Sequence, residues 1–386
     1  MIKPVVLWTD SLVFLLIAVV LAFVVFASRR EHLRGPWRRV IGSRLGSASL
    51  VVLLAYVLIG ILDTIHFRLP LENSTEGGAV HYDTEVLSVL DVLMGPVRTS
   101  VEKTYSAPFA THLFTRESVP GEDGVPVRIY RRLLYGGAHL DDPEGDRLGD
   151  IVNRSIKALL ESVLISGILV LLVARILAHR HSKTTGYMLR AVLRGQTEIP
   201  WRVLLFTLFI LILLTLLSVN LAAAYHIFGT DKVGQDVFYQ SVKSIRTGLL
   251  IGTLTTLIML PFAILLGIMA GYARGWVDDV IQYLYTTLNS IPGVLLIAAA
   301  ILMLQVYMAN NPELFETSSD RADMRLLFLC LILGITSWTG LCRLLRAESM
   351  KLRESEYIQA ASAFGVSHGR IVLRHILPNV MHIVLI

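Results

Sequence analysis

The residues of this chain best suited to specific work lie in ESEYIQAASAFGVSHGRIVLRHILPN, residues 354–379, and the work their types suit is docking. Residues 349–364 contain no Gly or Pro and are good helix formers, so they predict a helix. Gly365 can end it in a left-handed conformation, Ser367 can cap a second helix running to Leu377, and Pro378 terminates or bends that one. Tyr357, Ala360, Ala361 and Phe364 fall at i, i+3, i+4 and i+7, one face with two small residues at its centre. Such a face admits close approach by another protein surface. The alternative is an amphipathic helix on the inner leaflet, with Lys351, Arg353, Arg370 and Arg374 toward anionic lipid. The alanine-centred face lacks the bulky side chains that membrane burial favours.

Other chemistry is sparse. The chain has no G-x-x-x-x-G-K-[ST], H-E-x-x-H or G-x-S-x-G run, so it is not read as an enzyme, and no catalytic residue, metal ligand or cofactor is assigned. His66, His81, His112 and His139 lack ligand-like spacing and read as solvated or hydrogen-bonded histidines, and Cys330 and Cys342 as small packing residues. Asp10, Asp63 and Glu161 fall near predicted ends of apolar segments, where they can reach headgroups or water. Asn220 lies deeper and can hydrogen-bond between helices. No chain of ionisable residues continues across the membrane as a proton relay requires.

The elements that position these residues follow from hydropathy. Apolar residues make up 54% of 386 positions, charged residues 17%, and mean hydropathy is +0.62, the composition of a bilayer protein. Seven segments are long enough to cross, roughly 6–28, 45–63, 157–178, 203–225, 246–272, 279–305 and 324–342, and an eighth begins at VMHIVLI. The first is a retained helix, because its basic residues follow the apolar run. Loops 29–44, 179–202, 273–278 and 343–378 carry eighteen Lys/Arg against six Asp/Glu, whereas 64–156 carries nine against fourteen. The positive-inside rule therefore places the N-terminus outside and 343–378 in the cytoplasm, and it accounts for the net charge of +5 without nucleic acid. The fold class is an all-α polytopic membrane protein with a mixed extracytoplasmic loop.

That loop is too long for a connector. Within it EVLSVLDVLMGPVRTSVEKTY has helical spacing and VPVRIYRRLLYGG reads as strand, so a small folded cap is expected. The triplets at Asn73 and Asn153 match a glycosylation pattern too short to carry weight. Further on, GTDKVGQD forms a turn-rich elbow in which Gly229 and Gly234 permit tight backbone and Asp231 and Asp236 can cap helix starts. Pro292 removes a backbone donor early in its span and can kink it where a path opens.

QAASAFGVSHGRIVLRHILP resembles the E-A-A-x-x-x-G … L-P signature of permease subunits in binding-protein-dependent ABC importers, and RHILPN is similar to the peptide/nickel branch. Gln359 replaces the usual first Glu, and His375 stands where the general pattern has Ile. HIFGTDKVGQDVFYQSVKSIRTGLLIG (226–252) and GYARGWVDDVIQYLYTTLNSIPGVLLIA (271–298) resemble preceding parts of that branch in the right order. The resemblance covers about 226–379. It implies a bacterial inner-membrane permease subunit for peptides or peptide-like solutes, paired with a second permease and fed by an extracytoplasmic solute-binding protein. Two separate ATPase subunits, holding the ATP and Mg, would be engaged through Glu356, Tyr357, Gln359, Ala360, Ala361, Phe364, Gly365, His375, Leu377 and Pro378.

The organisation expected is an N-terminal extension (1–63), the extracytoplasmic loop (64–156), additional helices (157–225) and a permease core (226–386) that such permeases continue past, so a truncated sequence is expected. Residues 146–166 faintly echo 231–252, with Asp150, Ser155 and Lys157 each 86 positions before Asp236, Ser241 and Lys243. A nickel or other small-solute importer, a scaffold or receptor using the 64–156 loop, and a secondary transporter are the competing readings.

Overall fold

The computed structural model describes residues 3–70, 82–120, 126–197, 199–315 and 317–384. Asn73 and His81 therefore lie outside the described residues. The chain forms two compact units, one of residues up to Val5 and Phe14–Arg246, the other of Val6–Val13 and Thr247 onward.

The first unit begins with β1 (Lys3–Val5) and contains most of α1 (Trp8–Ser28), then α2 (Glu31–Gly42) and α3 (Arg44–Thr64). After α3 come β2 (His66–Arg68) and β3 (Leu87–Ser88), which with β1 make an antiparallel sheet in the order β1-β2-β3. The expected helix after residue 85 is realised only as two short pieces, α4 (Val89–Leu93) and α5 (Gly95–Thr99). The run breaks at Met94, and Pro96 in the first turn of α5 gives no backbone donor to carry the α4 ladder across that point. The strand expected near 130 is present: β4 (His112–Pro120) pairs antiparallel with β5 (Pro126–Arg132). Next come α6 (Arg147–Arg180), a short amphipathic α7 (Thr185–Arg194) and α8 (Trp201–Ala222). Asn220 Nδ2 donates to Glu161 Oε2 at 3.1 Å, the interhelical bond expected of Asn220.

The second unit takes over α9 (Val237–Ala273) at Thr247 and continues with α10 (Trp276–Ser290), α11 (Gly293–Asn310) and α12 (Ser318–Arg353). It ends in α13 (Glu356–Ala363), α14 (His368–Ile371), a π-helical turn over Val372–Ile376, and α15 (Leu377–Val384). Among the described residues seven helices, α1, α3, α6, α8, α9, α11 and α12, are long and apolar enough to cross a membrane. This is a multi-pass helical protein. The span expected over 279–305 is divided: Ile291 is extended and Pro292 occupies the position before α11, so α10 and α11 are separate helices. A residue before proline is driven out of helical geometry, which is why Pro292 breaks the span where a kink was expected.

The core of the second unit depends on small residues. Ala263, Gly267 and Gly271 recur at four-residue spacing on α9, and a Cβ on Gly267 would stand 2.8 Å from Leu345 Cβ of α12. One on Gly271 would stand 2.5 Å from the Arg346 carbonyl. The backbones approach because nothing projects between them. Cys330 and Cys342 are free and buried in this packing, as expected of small apolar residues. Asp10 and Asp63 reach neither headgroup nor water: both are buried, Asp10 accepting from the Leu7 amide and Asp63 from Ser88 Oγ at 2.8 Å.

Candidate functional site

In the second unit the sequence-predicted segment forms a helix, a turn and a helix, with differences of detail. The first helix does not run unbroken over 349–364. It breaks at Glu354–Ser355, where Ser355 is extended and its hydroxyl donates to the Leu352 carbonyl. A serine that satisfies a preceding carbonyl competes with the helix at that point. The break is held from outside: Arg353 Nη1 donates to the Tyr272 carbonyl at 2.8 Å, and Arg274 pairs with Glu354.

Ile358, on α13, is 2% exposed and packs in a cluster with Ile268, Leu345, Ile371, Ile376 and Val380. These apolar residues, which anchor the segment, were missed by reading only the small-residue face; their spacing from Ile358 across the turn to Val380 was the available signal. The expected face points the other way: Phe364 is 88% exposed, Tyr357 and Ala360 are exposed, and Ala361 is half-buried against the cluster. Glu356 is exposed in the first turn of α13.

Gly365 has φ +75°, the left-handed turn expected of it, and the space where a Cβ would stand is open. Ser367 precedes α14 in extended geometry, but its side chain makes no capping bond, contrary to expectation; its backbone carbonyl accepts from Arg370 and Ile371. Pro378 does not terminate the helix. It lies inside α15, next to Leu377, and the wide turn over 372–376 accommodates its missing donor. The His375 ring tilts against Tyr357 at 6.3 Å between centroids, and Asn379 Nδ2 donates to Tyr357 Oη at 3.2 Å. Gln359 Nε2 donates to the Glu354 carbonyl at 3.1 Å, which the carboxylate of a Glu cannot do.

Beside the turn a cleft of about 740 Å³ is lined by Tyr272, Arg274, Arg353, Glu354, Gln359 and His368 among others. Tyr272 Oη and His368 Nδ1 are 2.8 Å apart across it. At the start of α10, Asp278 receives a two-point bond from Arg346 at 2.6 and 2.7 Å, which holds its carboxyl below the usual range.

The elbow, in the first unit, is stitched to the 64–156 segment. Gly229 and Gly234 both have positive φ. Asp231 caps no helix: its Oδ1 accepts from the Val233 and Gln235 amides within its own turn, and Oδ2 from Gln240. Asp236 does cap α9, accepting from the Tyr239 amide at 3.1 Å. Its other oxygen lies 2.6 Å from His226 Nδ1, while His226 Nε2 stands 3.5 Å from Glu102 Oε1 without the alignment of a hydrogen bond. Burial opposes charge on His226, but Asp236 and Glu102 outweigh it and push the imidazole up to about 9. Burial likewise opposes charge on Glu102, and His226 together with the amides of Leu134, Tyr135 and Gly136 holds that carboxyl below its usual value. Glu102 escaped sequence reading because its partners are distant in the chain, and His226 although Asp236 stands only ten residues on in the same quoted run. Near them Lys243 Nζ reaches Asp91 at 2.6 Å and Tyr239 Oη donates to the same carboxylate.

The histidines hold no metal arrangement among the described residues. His139 pairs with Asp150 at 2.8 Å, beside Arg154 and Tyr225. The faint repeat is not matched in detail: Asp236 precedes α9, whereas Asp150 lies in the first turn of α6.

Seven long apolar helices among the described residues place the chain in the class of multi-pass membrane proteins. Residues 263–386 match the family of binding-protein-dependent transport system inner membrane components. The chain is 31% identical over 161 residues to the oligopeptide transport system permease protein OppC of Mycobacterium tuberculosis, covering 42% of this chain and 50% of that protein. It is 32% identical over 157 residues to the dipeptide transport system permease protein DppC of Alkalihalophilus pseudofirmus, covering 41% and 46%. With the glutathione transport system permease protein GsiD of Pectobacterium atrosepticum it shares 29% over 154 residues, 40% and 45%. The chain spans about half the length of the curated relatives it matches. These relatives are permease subunits, as the resemblance implied.

Proposed function

We propose that the chain is a transmembrane permease subunit of an ATP-driven importer for peptides or peptide-like solutes, forming half of a translocation path with a second permease. The observation that carries this is the exposed helix–turn–helix, with Phe364 turned outward while Ile358 roots it in the packed helices. In this reading two ATPase subunits grip α13 and the Gly365 turn on the cytoplasmic side. A movement of the ATPases is passed through Ile358, Ile371 and Ile376 as a rigid-body shift, because a close-packed cluster transmits displacement instead of absorbing it. The cap built on residues 64–156 then stands outside, where a solute-binding protein delivers its cargo. ATP and Mg belong to the partner subunits, and this chain supplies no catalytic group.

Purifying the complex and identifying what co-purifies is the test. Expected is an ATPase whose retention falls in Phe364→Ala and Gly365→Val proteins that still insert. Co-purification of no ATPase would overturn the reading.

A further inference from the structure

The groove between α6, α7 and α8 is explained by neither the elbow nor the docking segment. It has a volume of about 490 Å³, and its walls are apolar, with Val163 and Val170 of α6 facing Phe206 and Phe209 of α8. Two polar groups interrupt that lining. Arg202 is exposed, and among the described residues no carboxylate lies within ion-pair distance of it. Ser166 Oγ is buried and has no hydrogen-bond partner.

We infer that this groove binds one anionic glycerophospholipid, with its phosphate on Arg202 and an acyl chain along Phe206 and Phe209. Arg202 is the second residue of α8 and Phe209 the ninth, so the groove runs about 10 Å along the helix from the cation inward. A charge at one end and apolar wall beyond it match a lipid's own order of headgroup and chain. Trp201, beside Arg202, is the residue type that settles at headgroup depth. None of the strongly apolar stretch of α8 is fully buried, so lipid is what its surface meets. Ser166 Oγ is a free donor for an ester carbonyl, and a donor left unmade in an apolar wall is costly. The helix α7 closes the third side: Met188 and Ala191 pack against Leu177 and Ala178 of α6, which leaves Leu193 at the groove. The loop 179–202 adds Arg180, Lys183, Arg190 and Arg194 to the positive field around the site.

Native mass spectrometry of the purified full chain, titrated with phosphatidylglycerol or phosphatidylcholine, tests the site. The expected result is one tightly held phosphatidylglycerol, preferred about fivefold, equivalent to about 1 kcal/mol. Arg202→Gln should bring the preference close to one, and Arg202→Lys should retain it. Gly167 faces open space, so Gly167→Leu fills the groove without a clash and should lower retention of both lipids. An unchanged preference in Arg202→Gln, or undiminished retention in Gly167→Leu, would overturn the inference. Displacement of the lipid by millimolar inorganic phosphate would also overturn it, by reducing the site to a free-anion site.

Discussion

His226 and Asp236 are ten residues apart and share a buried contact, Nδ1 to Oδ2 at 2.6 Å, at the point where the elbow enters α9. Glu102, from the middle of the 64–156 segment, faces the other ring nitrogen, so one imidazolium ties three stretches of chain together.

This tie makes stability depend on pH in a definite sense. The folded His226 value, about 9, lies above the ordinary 6.5, so its contribution is full below 6.5 and is lost as pH rises through about 9. Glu102 works in the opposite direction: its lowered value means that its contribution is present above 4.5 and lost as pH falls through the folded value. Thermal unfolding of the purified protein should show a plateau between these limits and an alkaline decline. The decline should flatten in His226→Gln; an identical alkaline slope in that variant would refute the assignment.

Gly234 has φ +80°, and a Cβ there would lie 1.6 Å from the Glu102 carbonyl oxygen. Gly234→Ala should cost at least the ~1–2 kcal/mol of left-handed backbone, with the clash added. Limited proteolysis is expected to cut the 100–110 region sooner in this variant than in wild type.

Between α9 and α12, Gly267→Leu inserts four carbons where even a Cβ meets Leu345. Overpacking of this kind costs about 1–3 kcal/mol or more. The lowered unfolding midpoint should not be reproduced by Gly248→Leu, since Gly248 faces open space on the same helix.

Asp91 and Lys243 should behave as a coupled pair. Removing either alone leaves a charge without its partner, so Asp91→Asn and Lys243→Met each destabilise, and the double variant destabilises by less than their sum. A double-mutant cycle on the unfolding midpoint should give a coupling of about 0.5–3 kcal/mol. A coupling of zero would show the contact to be energetically idle.

Gly365→Val tests the turn directly. The space is open, so the cost comes from backbone alone, and the protein should fold while the turn after α13 rearranges. ATPase retention should fall without a matching loss of thermal stability; equal losses in both would mean a folding defect.

Much was legible in the sequence because bilayer crossing is a one-dimensional constraint: length and hydropathy give the long helices, and Gly365 declares its own left-handed turn. Local signals also gave β5 and the cap that Asp236 makes on α9. Pro292 was recognised as a disturbance, but whether it kinks or divides a span depends on what α10 packs against, and Tyr285 and Ile281 find their partners on α9 and α12. The same holds at residues 354–379. Its exposed face could be read from spacing, whereas the rooting of Ile358 requires Ile268 and Leu345 from other helices. Charges were hardest. Asp63, Glu102 and His226 look like solvated loop or span-end residues until the fold delivers Ser88, the 134–136 amides and Asp236 to them. Sequence alone thus determined which segments can cross and the turns that glycine marks, at Gly365 and in the elbow. Only tertiary structure decided which polar groups are buried together, because their partners are set by three-dimensional proximity and not by spacing along the chain.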